Sequence, residues 1–187
     1  LRVQNSDLKI ELLSLNNNEQ MKALKKGDID IAFTRHNFTS EEIESTFVLR
    51  EPLMFILPKD HPLAKYDRIP VKALNGIDFI IPSSEQSYTL HHTILNFAKE
   101  YGIEFNIVQT ADNILFNINS IGMGLGCTIL PAYITPLSMD HSVVRPLNVE
   151  LPQIDLYVSH RKDNTSNAVK RFMELLTRVF YLDFDRK

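Results

Sequence analysis

Short apolar runs alternate with longer amphipathic stretches along most of this chain. This alternation is typical of α/β folds, in which helices cover the faces of a sheet built from neighbouring strands. The predicted strands are Leu8–Ser14, Ile29–Phe33, Ile43–Leu49, Leu53–Leu57, Asp78–Ile81, Glu104–Gln109, Cys127–Leu130, Ser142–Leu147 and Ile154–His160. The predicted helices are Glu19–Lys26, Tyr88–Tyr101 with Leu90, Ile94, Leu95 and Ala98 on one face, a helix capped by Thr110 or Asp112 and ending at Ile121, and Ser166–Tyr181 with Val169, Phe172, Met173, Leu176 and Phe180 on its apolar face.

Three of these strands each run into a polar loop that opens a helix, namely Asn16–Asn18, Pro82–Ser87 and Thr110–Asn113. In α/β sheets, ligands bind beyond the carboxyl ends of the strands, where the backbone N–H groups of helix N-termini favour an anion. Arg35 leaves its strand at the same edge. The pattern therefore indicates a site for a small carboxylate. The alternative, that these polar residues only cap helices and Arg35 is a surface residue, stays open because such caps are common.

Composition limits the classes of protein to consider. The chain has 187 residues, of which 44% are hydrophobic and 23% charged, and its net charge is −3. This is typical of a soluble globular protein with one domain or two small subdomains. No apolar run approaches the ~20 residues of a membrane span, and a DNA-binding surface usually carries a basic face. We therefore expect no membrane association and no direct DNA contact within this chain.

The glycine-rich segment Gly122–Gly126 resembles a nucleotide-binding loop at first sight. Such a loop follows a strand and precedes a helix, so that the phosphate meets the helix N-terminus. Here the predicted order is helix, glycines, strand. We therefore interpret the glycines as a helix C-terminus that needs positive φ angles.

Other catalytic or metal-binding constellations are weak. His91 and His92 are adjacent on a helix and point in different directions, so they do not chelate well together. No Gly-x-Ser-x-Gly motif surrounds the loop serines, and Glu41-Glu42 fits a solvated surface. Cys127 is the only cysteine, which excludes an intrachain disulfide and suits a reducing compartment. We expect no catalytic residues, no metal and no cofactor.

Three segments together resemble a known family. Ala23–Phe33 (ALKKGDIDIAF), Pro58–Leu63 (PKDHPL) and Ile121–Pro131 (IGMGLGCTILP) are similar, in order and spacing, to segments of the effector-binding domains of LysR-type bacterial transcription regulators. Within that family, the chain resembles phenylpropionate- and cinnamate-responsive activators through Asn113-Ile-Leu and Glu51-Pro-Leu. It also resembles benzoate- and muconate-responsive regulators through the Pro82-Ser-Ser84 loop.

The resemblance implies a periplasmic-binding-protein type 2-like α/β fold, with two Rossmann-like subdomains joined by two crossover strands. Subdomain I would comprise residues 1–51 and 149–187, and subdomain II residues 52–148. The ligand would bind in a cleft between them. The winged helix-turn-helix of the family, and the first strand and helix of its effector domain, would lie outside this chain.

The resemblance also implies which positions contact the ligand. They fall on Asn17, Arg35, Ser83, Ser84, Ser87, Tyr88, Thr89, Asn113 and Phe116. Tyr88 would stack on a ring of the ligand.

The function implied is effector sensing in the cytoplasm, with a small aromatic carboxylate as effector and no catalysis. The expected partners are further copies of the chain in a homodimer or homotetramer, promoter DNA through the missing N-terminal domain, and RNA polymerase. Two alternatives stay open: a periplasmic solute-binding protein of a transporter, and a small enzyme of the same fold class, for which the sequence offers no convincing catalytic residue.

Overall fold

The computed structural model describes residues 10–137 and 140–184. The chain folds into two compact units: unit 1 takes the residues up to Leu49 and from Leu156 onward, and unit 2 takes Arg50–Asp155. The boundary between the units falls inside two strands, β2 (Ile43–Pro58) and β7 (Gln153–Arg161), which therefore carry the chain from one unit to the other.

Unit 1 contains helix α1 (Asn17–Lys26), strand β1 (Ile31–Thr34) and helix α4 (Asn167–Phe184), together with the outer parts of β2 and β7. β1 pairs with β7 in antiparallel register. Leu24 of α1 packs with Ala32 and Ile43 in a small buried core. The apolar positions predicted on the last helix are confirmed as half-buried or buried, with Val169 only 5% exposed.

Unit 2 contains the strands β3 (Asp78–Pro82), β4 (Asn106–Ala111), β5 (Thr128–Pro131) and β6 (Ser142–Val144), and the helices α2 (Tyr88–Tyr101) and α3 (Ile114–Gly122). It also has short 3-10 helices at Pro62–Lys65, Val71–Leu74 and Ala132–Leu137. β5 and β6 pair with β2 in antiparallel register, whereas β3 and β4 form a parallel pair. The main core lies here, and its largest fully buried side chains include Phe55, Phe79 and Ile94.

Helix α1 forms as predicted because both of its ends carry strong signals. Asn16 and Glu19 make a capping box: the Glu19 N–H donates to Asn16 Oδ1 at 3.0 Å, and the Asn16 N–H donates to Glu19 Oε2 at 2.9 Å. Gly27 ends the helix with φ at +83°, in the left-handed region that glycine adopts without strain. The prediction of Tyr88–Tyr101 as a helix is likewise confirmed, although Leu95 is exposed and Phe97 is buried in its place.

The two predicted strands on either side of Arg50-Glu51-Pro52 are in fact one continuous strand, β2. Proline has no N–H for a strand ladder, which favours a break on sequence grounds. In the fold, Pro52 lies just before the point where β5 begins to pair, at Leu53 opposite Pro131. The next N–H, that of Leu53, donates to Pro152 O at 3.2 Å. The missing donor therefore costs little at this position.

The strand predicted at Leu8–Ser14 is wrong over residues 10–14, which lie in no strand. Leu8 lies outside the described residues. Leu12 is 90% exposed and Leu13 is 59% exposed, so the apolar run that suggested a strand is not buried against the core. A strand needs a neighbouring strand to satisfy its backbone groups, and among the described residues none pairs with this segment.

The glycine-rich segment ends α3, as predicted. Gly124 has φ at +79°. Gly126 is needed for a different reason: a Cβ there would lie 2.8 Å from the backbone O of Asp78 and 3.0 Å from its C. The backbones of β3 and the segment before β5 thus approach closely. Over the described residues, no helix is both long and apolar enough to cross a membrane.

Candidate functional site

Two loops of unit 2 are joined at the carboxyl ends of the parallel strands β3 and β4. The Ser83 N–H, just after β3, donates to the Ala111 O at the end of β4 at 2.8 Å. Ser83 is buried, and its Oγ accepts from the Glu85 N–H at 3.2 Å, which fixes the start of the loop. The loops that open α2 and α3 are therefore adjacent, at the edge of the sheet where ligands bind in α/β folds.

The N-terminus of α2 is held in place by its own loop. The Ser87 N–H donates to Ser83 O at 2.8 Å, and the Nδ1–H of His91 donates to Pro82 O at 2.8 Å. Ser87 is the N-cap residue, but its side chain makes no capping hydrogen bond. The first turn of α2 therefore has a fixed position, and the Ser87 side chain does not accept from its N–H groups as an N-cap side chain usually does.

The loop between β3 and α2 also presents an aromatic ring. Tyr88 is 54% exposed, and its ring centroid lies 4.2 Å from that of His92, with 52° between the ring planes. Ser84 is exposed, and Thr89 is half-buried. One face of this edge thus combines hydroxyl groups with an exposed aromatic surface.

Helix α3 opens the second loop of the pair. Its N-cap is Asn113, whose Oδ1 accepts from the Phe116 N–H at 2.8 Å. The prediction of Thr110 or Asp112 as the cap is wrong. β4 continues to Ala111 and includes Thr110, so the helix begins later than expected. Phe116 is 45% exposed beside the cap, which adds a second aromatic ring to the edge.

The two remaining predicted residues belong to unit 1. Asn17 is the first residue of α1 and is half-buried, while the capping role belongs to Asn16. Arg35 follows β1 and is half-buried, with its Nη1 atom fully buried. The Thr34 Oγ1 donates to His36 O at 2.8 Å and shapes the turn that carries Arg35. Because α1 packs on β1 after a short reversing connection, Asn17 and Arg35 lie at the same end of unit 1.

The structure therefore brings together, within unit 2, the predicted residues Ser83, Ser84, Ser87, Tyr88, Thr89, Asn113 and Phe116. One polar residue next to this edge was missed. Asn117 lies one helical turn after Asn113 and is only 1% exposed. The available signal was an asparagine four residues after the cap, at a position of the helix that otherwise faces the core.

Two observations concern the reactive groups of the described residues. No group of three or more His, Cys, Asp or Glu within residues 10–137 and 140–184 is placed to hold a metal ion. Burial raises the pKa of the Cys127 thiol to about 12, and the nearby Asp78 carboxylate acts in the same direction. A thiol with so high a pKa is a poor nucleophile. Helix N-termini, hydroxyl groups and exposed rings instead suit an anion that carries an aromatic group.

A two-unit α/β molecule with a polar, aromatic-lined edge at helix N-termini is of the class that binds small ligands. Comparison with known proteins identifies the family: the model of the LysR substrate binding domain matches residues 1–180. The chain belongs to this family.

Among curated relatives, the chain is 33% identical over 175 residues to the Hca operon transcriptional activator HcaR of Escherichia coli (strain K12), covering 94% of this chain and 59% of that protein. It is 29% identical over 185 residues to the HTH-type transcriptional regulator CatR of Pseudomonas putida, covering 94% of this chain and 60% of that protein. The chain thus spans about three fifths of the length of these relatives. Both are transcriptional regulators, not enzymes.

Among solved structures, the BenM effector binding domain with its effector benzoate matches with a TM-score of 0.80 and 20% identity, covering 97% of this chain and 83% of that one. The fold is therefore the periplasmic-binding-protein type 2-like α/β fold of LysR effector-binding domains. The sequence-based assignments of family, fold class and non-enzymatic character are confirmed. The transporter alternative receives no support from these relatives.

Proposed function

We propose that this chain senses a small aromatic carboxylate for a LysR-family regulator, and that the carboxylate binds at the loops that open α2 and α3. The observation that carries the proposal is the first turn of α2, which is anchored by His91 and lacks a side-chain cap. The Tyr88 ring lies beside it, half-exposed and in contact with His92. The positive end of the helix dipole favours an anionic group there, and an aromatic group has a ring to contact.

Two residues of unit 1, Arg35 and Asn17, are also among the ligand-binding residues that we propose. Arg35 supplies a guanidinium that can pair with a carboxylate through two hydrogen bonds, and such charge-assisted bonds contribute about 1.5–3 kcal/mol each. Asn17 supplies an amide at the same end of the unit. The relatives support the chemistry: one curated relative activates the Hca operon, and a structural neighbour holds benzoate as its effector.

We further propose that the two units act as the regulatory subdomains of a longer, cytoplasmic, oligomeric protein whose DNA-binding domain contacts promoter DNA and whose output reaches RNA polymerase. The chain spans 59% of HcaR and 60% of CatR, which leaves length in such proteins for a DNA-binding domain. Effector binding shifts the equilibrium between two conformational states of the regulator. The size of that shift is set by the difference between the effector's affinities for the two states. A coupling free energy of roughly 1–3 kcal/mol is typical.

A thermal-shift screen tests the effector class. The aromatic probes are benzoate, 3-phenylpropionate and hydroxycinnamates, and cis,cis-muconate is the non-aromatic comparison acid, each at a concentration far above the expected Kd. A ligand at a hundredfold excess over its Kd stabilises the native state by about 2.7 kcal/mol and raises the melting temperature. No shift with any of the aromatic acids would contradict the proposal.

Two pairs of variants locate the site. We expect Arg35→Ala and Tyr88→Ala to abolish or strongly reduce the shift while circular dichroism shows a folded protein. The matched controls are Arg171→Ala, an exposed arginine on α4, and Tyr66→Ala, an exposed tyrosine after the first 3-10 helix. The controls should keep the wild-type shift. Unchanged affinity in Arg35→Ala for every acid that binds the wild type would remove Arg35 from the site.

A further inference from the structure

The side-chain amide of Asn117 is buried and has no hydrogen-bond partner among the described residues. The residue is 1% exposed, and neither its Nδ2 nor its Oδ1 has a hydrogen-bond partner among the described residues. Two other buried polar residues of unit 2 are satisfied: the Ser120 Oγ donates to Phe116 O at 2.9 Å, and the Thr128 Oγ1 donates to Ile80 O at 2.8 Å. Because buried polar groups in native proteins are normally hydrogen-bonded, this amide needs a partner beyond the described residues, which a bound ligand would supply.

Asn117 lies one helical turn after Asn113, the cap of α3, which opens one of the two loops of the candidate site. Asn113 and Asn117 are four residues apart and lie on the same face of α3, and the Asn117 N–H donates to Asn113 O at 3.2 Å. Side chains on a helix tilt toward its N-terminus. The Asn117 amide therefore leans toward the cap of α3, which lies at the edge where the Ser83 N–H meets Ala111 O.

The amide also limits the chemistry of its partner. A carboxamide offers two N–H donors and one acceptor oxygen. A carboxylate accepts from Nδ2 but has no hydrogen to give to Oδ1, and an aromatic C–H surface satisfies neither atom. A hydroxyl group both donates and accepts, so it pairs with both ends of the amide.

We propose that Asn117 is a specificity-determining residue that hydrogen-bonds a hydroxyl group of the effector, and that the effector is accordingly a hydroxylated acid. This inference rests on the proposed function, because it takes the effector to bind at the loops that open α2 and α3. A site built to hydrogen-bond a ligand hydroxyl discriminates strongly against the analogue that lacks it, because the protein's polar group is then left buried without a partner.

Calorimetric titration with matched pairs of acids tests the inference. The pairs are benzoate with its 2-, 3- and 4-hydroxy derivatives, and 3-phenylpropionate with its ring-hydroxylated derivatives. The variants are Asn117→Leu, which has the same number of side-chain heavy atoms without polar groups, and Asn119→Leu, the same change at an exposed position of the same helix. Asn117→Ala serves as a second variant if the leucine does not fit.

We expect the wild type to bind at least one hydroxylated acid tenfold or more tightly than its parent. Asn117→Leu should bind both members of that pair with similar affinity, and Asn119→Leu should keep the wild-type preference. Without ligand, Asn117→Leu should melt at a higher temperature than the wild type, because the unsatisfied amide is gone. A merely structural role for Asn117 would change stability and leave the ratio of the two affinities unchanged.

Two results would overturn the inference while leaving the proposed function intact. One is that plain and hydroxylated acids bind the wild type equally well. The other is that Asn117→Leu and Asn117→Ala retain the full hydroxyl preference, which would assign the amide to a buried water. If no acid of either kind binds the wild type, the proposed function and this inference fall together.

Discussion

Replacing Gly126 by alanine tests whether the close approach of two backbone segments requires a glycine at this position. The new Cβ would lie 2.8 Å from Asp78 O, 3.0 Å from Asp78 C and 3.3 Å from Phe79 N, all of them backbone atoms. Those atoms cannot simply rotate away, because the Cys127 N–H donates to Asp78 O and the Ile80 N–H donates to Cys127 O, both at 2.8 Å. Inserting a methyl group into so tight a contact costs about 1–3 kcal/mol.

For a chain of this size, a loss of about 2 kcal/mol lowers the melting temperature by roughly 4–8 °C. Urea denaturation followed by far-UV circular dichroism measures the change, which should appear in the midpoint with the slope unchanged. Gly124→Asn is the matched control. Gly124 has φ at +79°, and beyond the two adjacent residues no atom of the described chain lies within 4 Å of the position that a Cβ would take. Asparagine tolerates this conformation and should therefore cost about 1 kcal/mol or less. A Gly126→Ala variant as stable as the wild type would refute the close-approach explanation.

Three further predictions concern single residues. Asn16→Ala removes a capping box and should destabilise the domain by about 1 kcal/mol, measured by urea denaturation. Burial lowers the pKa of His61 from 6.5, and its Nδ1 accepts from the Leu63 N–H at 3.1 Å. Folding therefore favours the neutral ring, and stability should fall as the pH drops below about 6.5; His61→Asn should lack this part of the pH dependence in melting curves. Cys127 is buried and its pKa is raised to about 12, so a thiol reagent at pH 8 should label it only after denaturation; rapid labelling of the native domain would contradict its burial.

The elements that could be predicted from the sequence are those with local signals at both ends. Helix α2 has the predicted bounds because an amphipathic pattern runs up to Gly102, which ends it in the left-handed conformation with φ at +55°. β2 could not be predicted as one strand, because whether Pro52 breaks a strand depends on where the neighbouring strands begin to pair. The same holds for Leu12 and Leu13, whose exposure follows from the lack of a pairing strand among the described residues.

In the candidate site, too, some residues could be predicted from the sequence and others could not. The loop positions Ser83 to Thr89 and Asn113 could be predicted, because polar residues that join strands to helices mark the ligand-binding edge of an α/β sheet. The contact that joins the two loops, from the Ser83 N–H to Ala111 O, depends on residues far apart in the chain and has no local signal. Asn117 was missed for a related reason, since only its burial and its lack of partners among the described residues distinguish it from a surface asparagine.

Binding of a small aromatic acid through its carboxylate is the property on which the proposed function depends. Calorimetric titration with the acid that gives the largest thermal shift, and with the uncharged primary amide of the same acid, tests it directly. We predict saturable one-to-one binding of the acid and at least tenfold weaker binding of the amide, because helix N-termini and Arg35 favour a negative charge. Equal affinity for the acid and its amide would contradict this prediction.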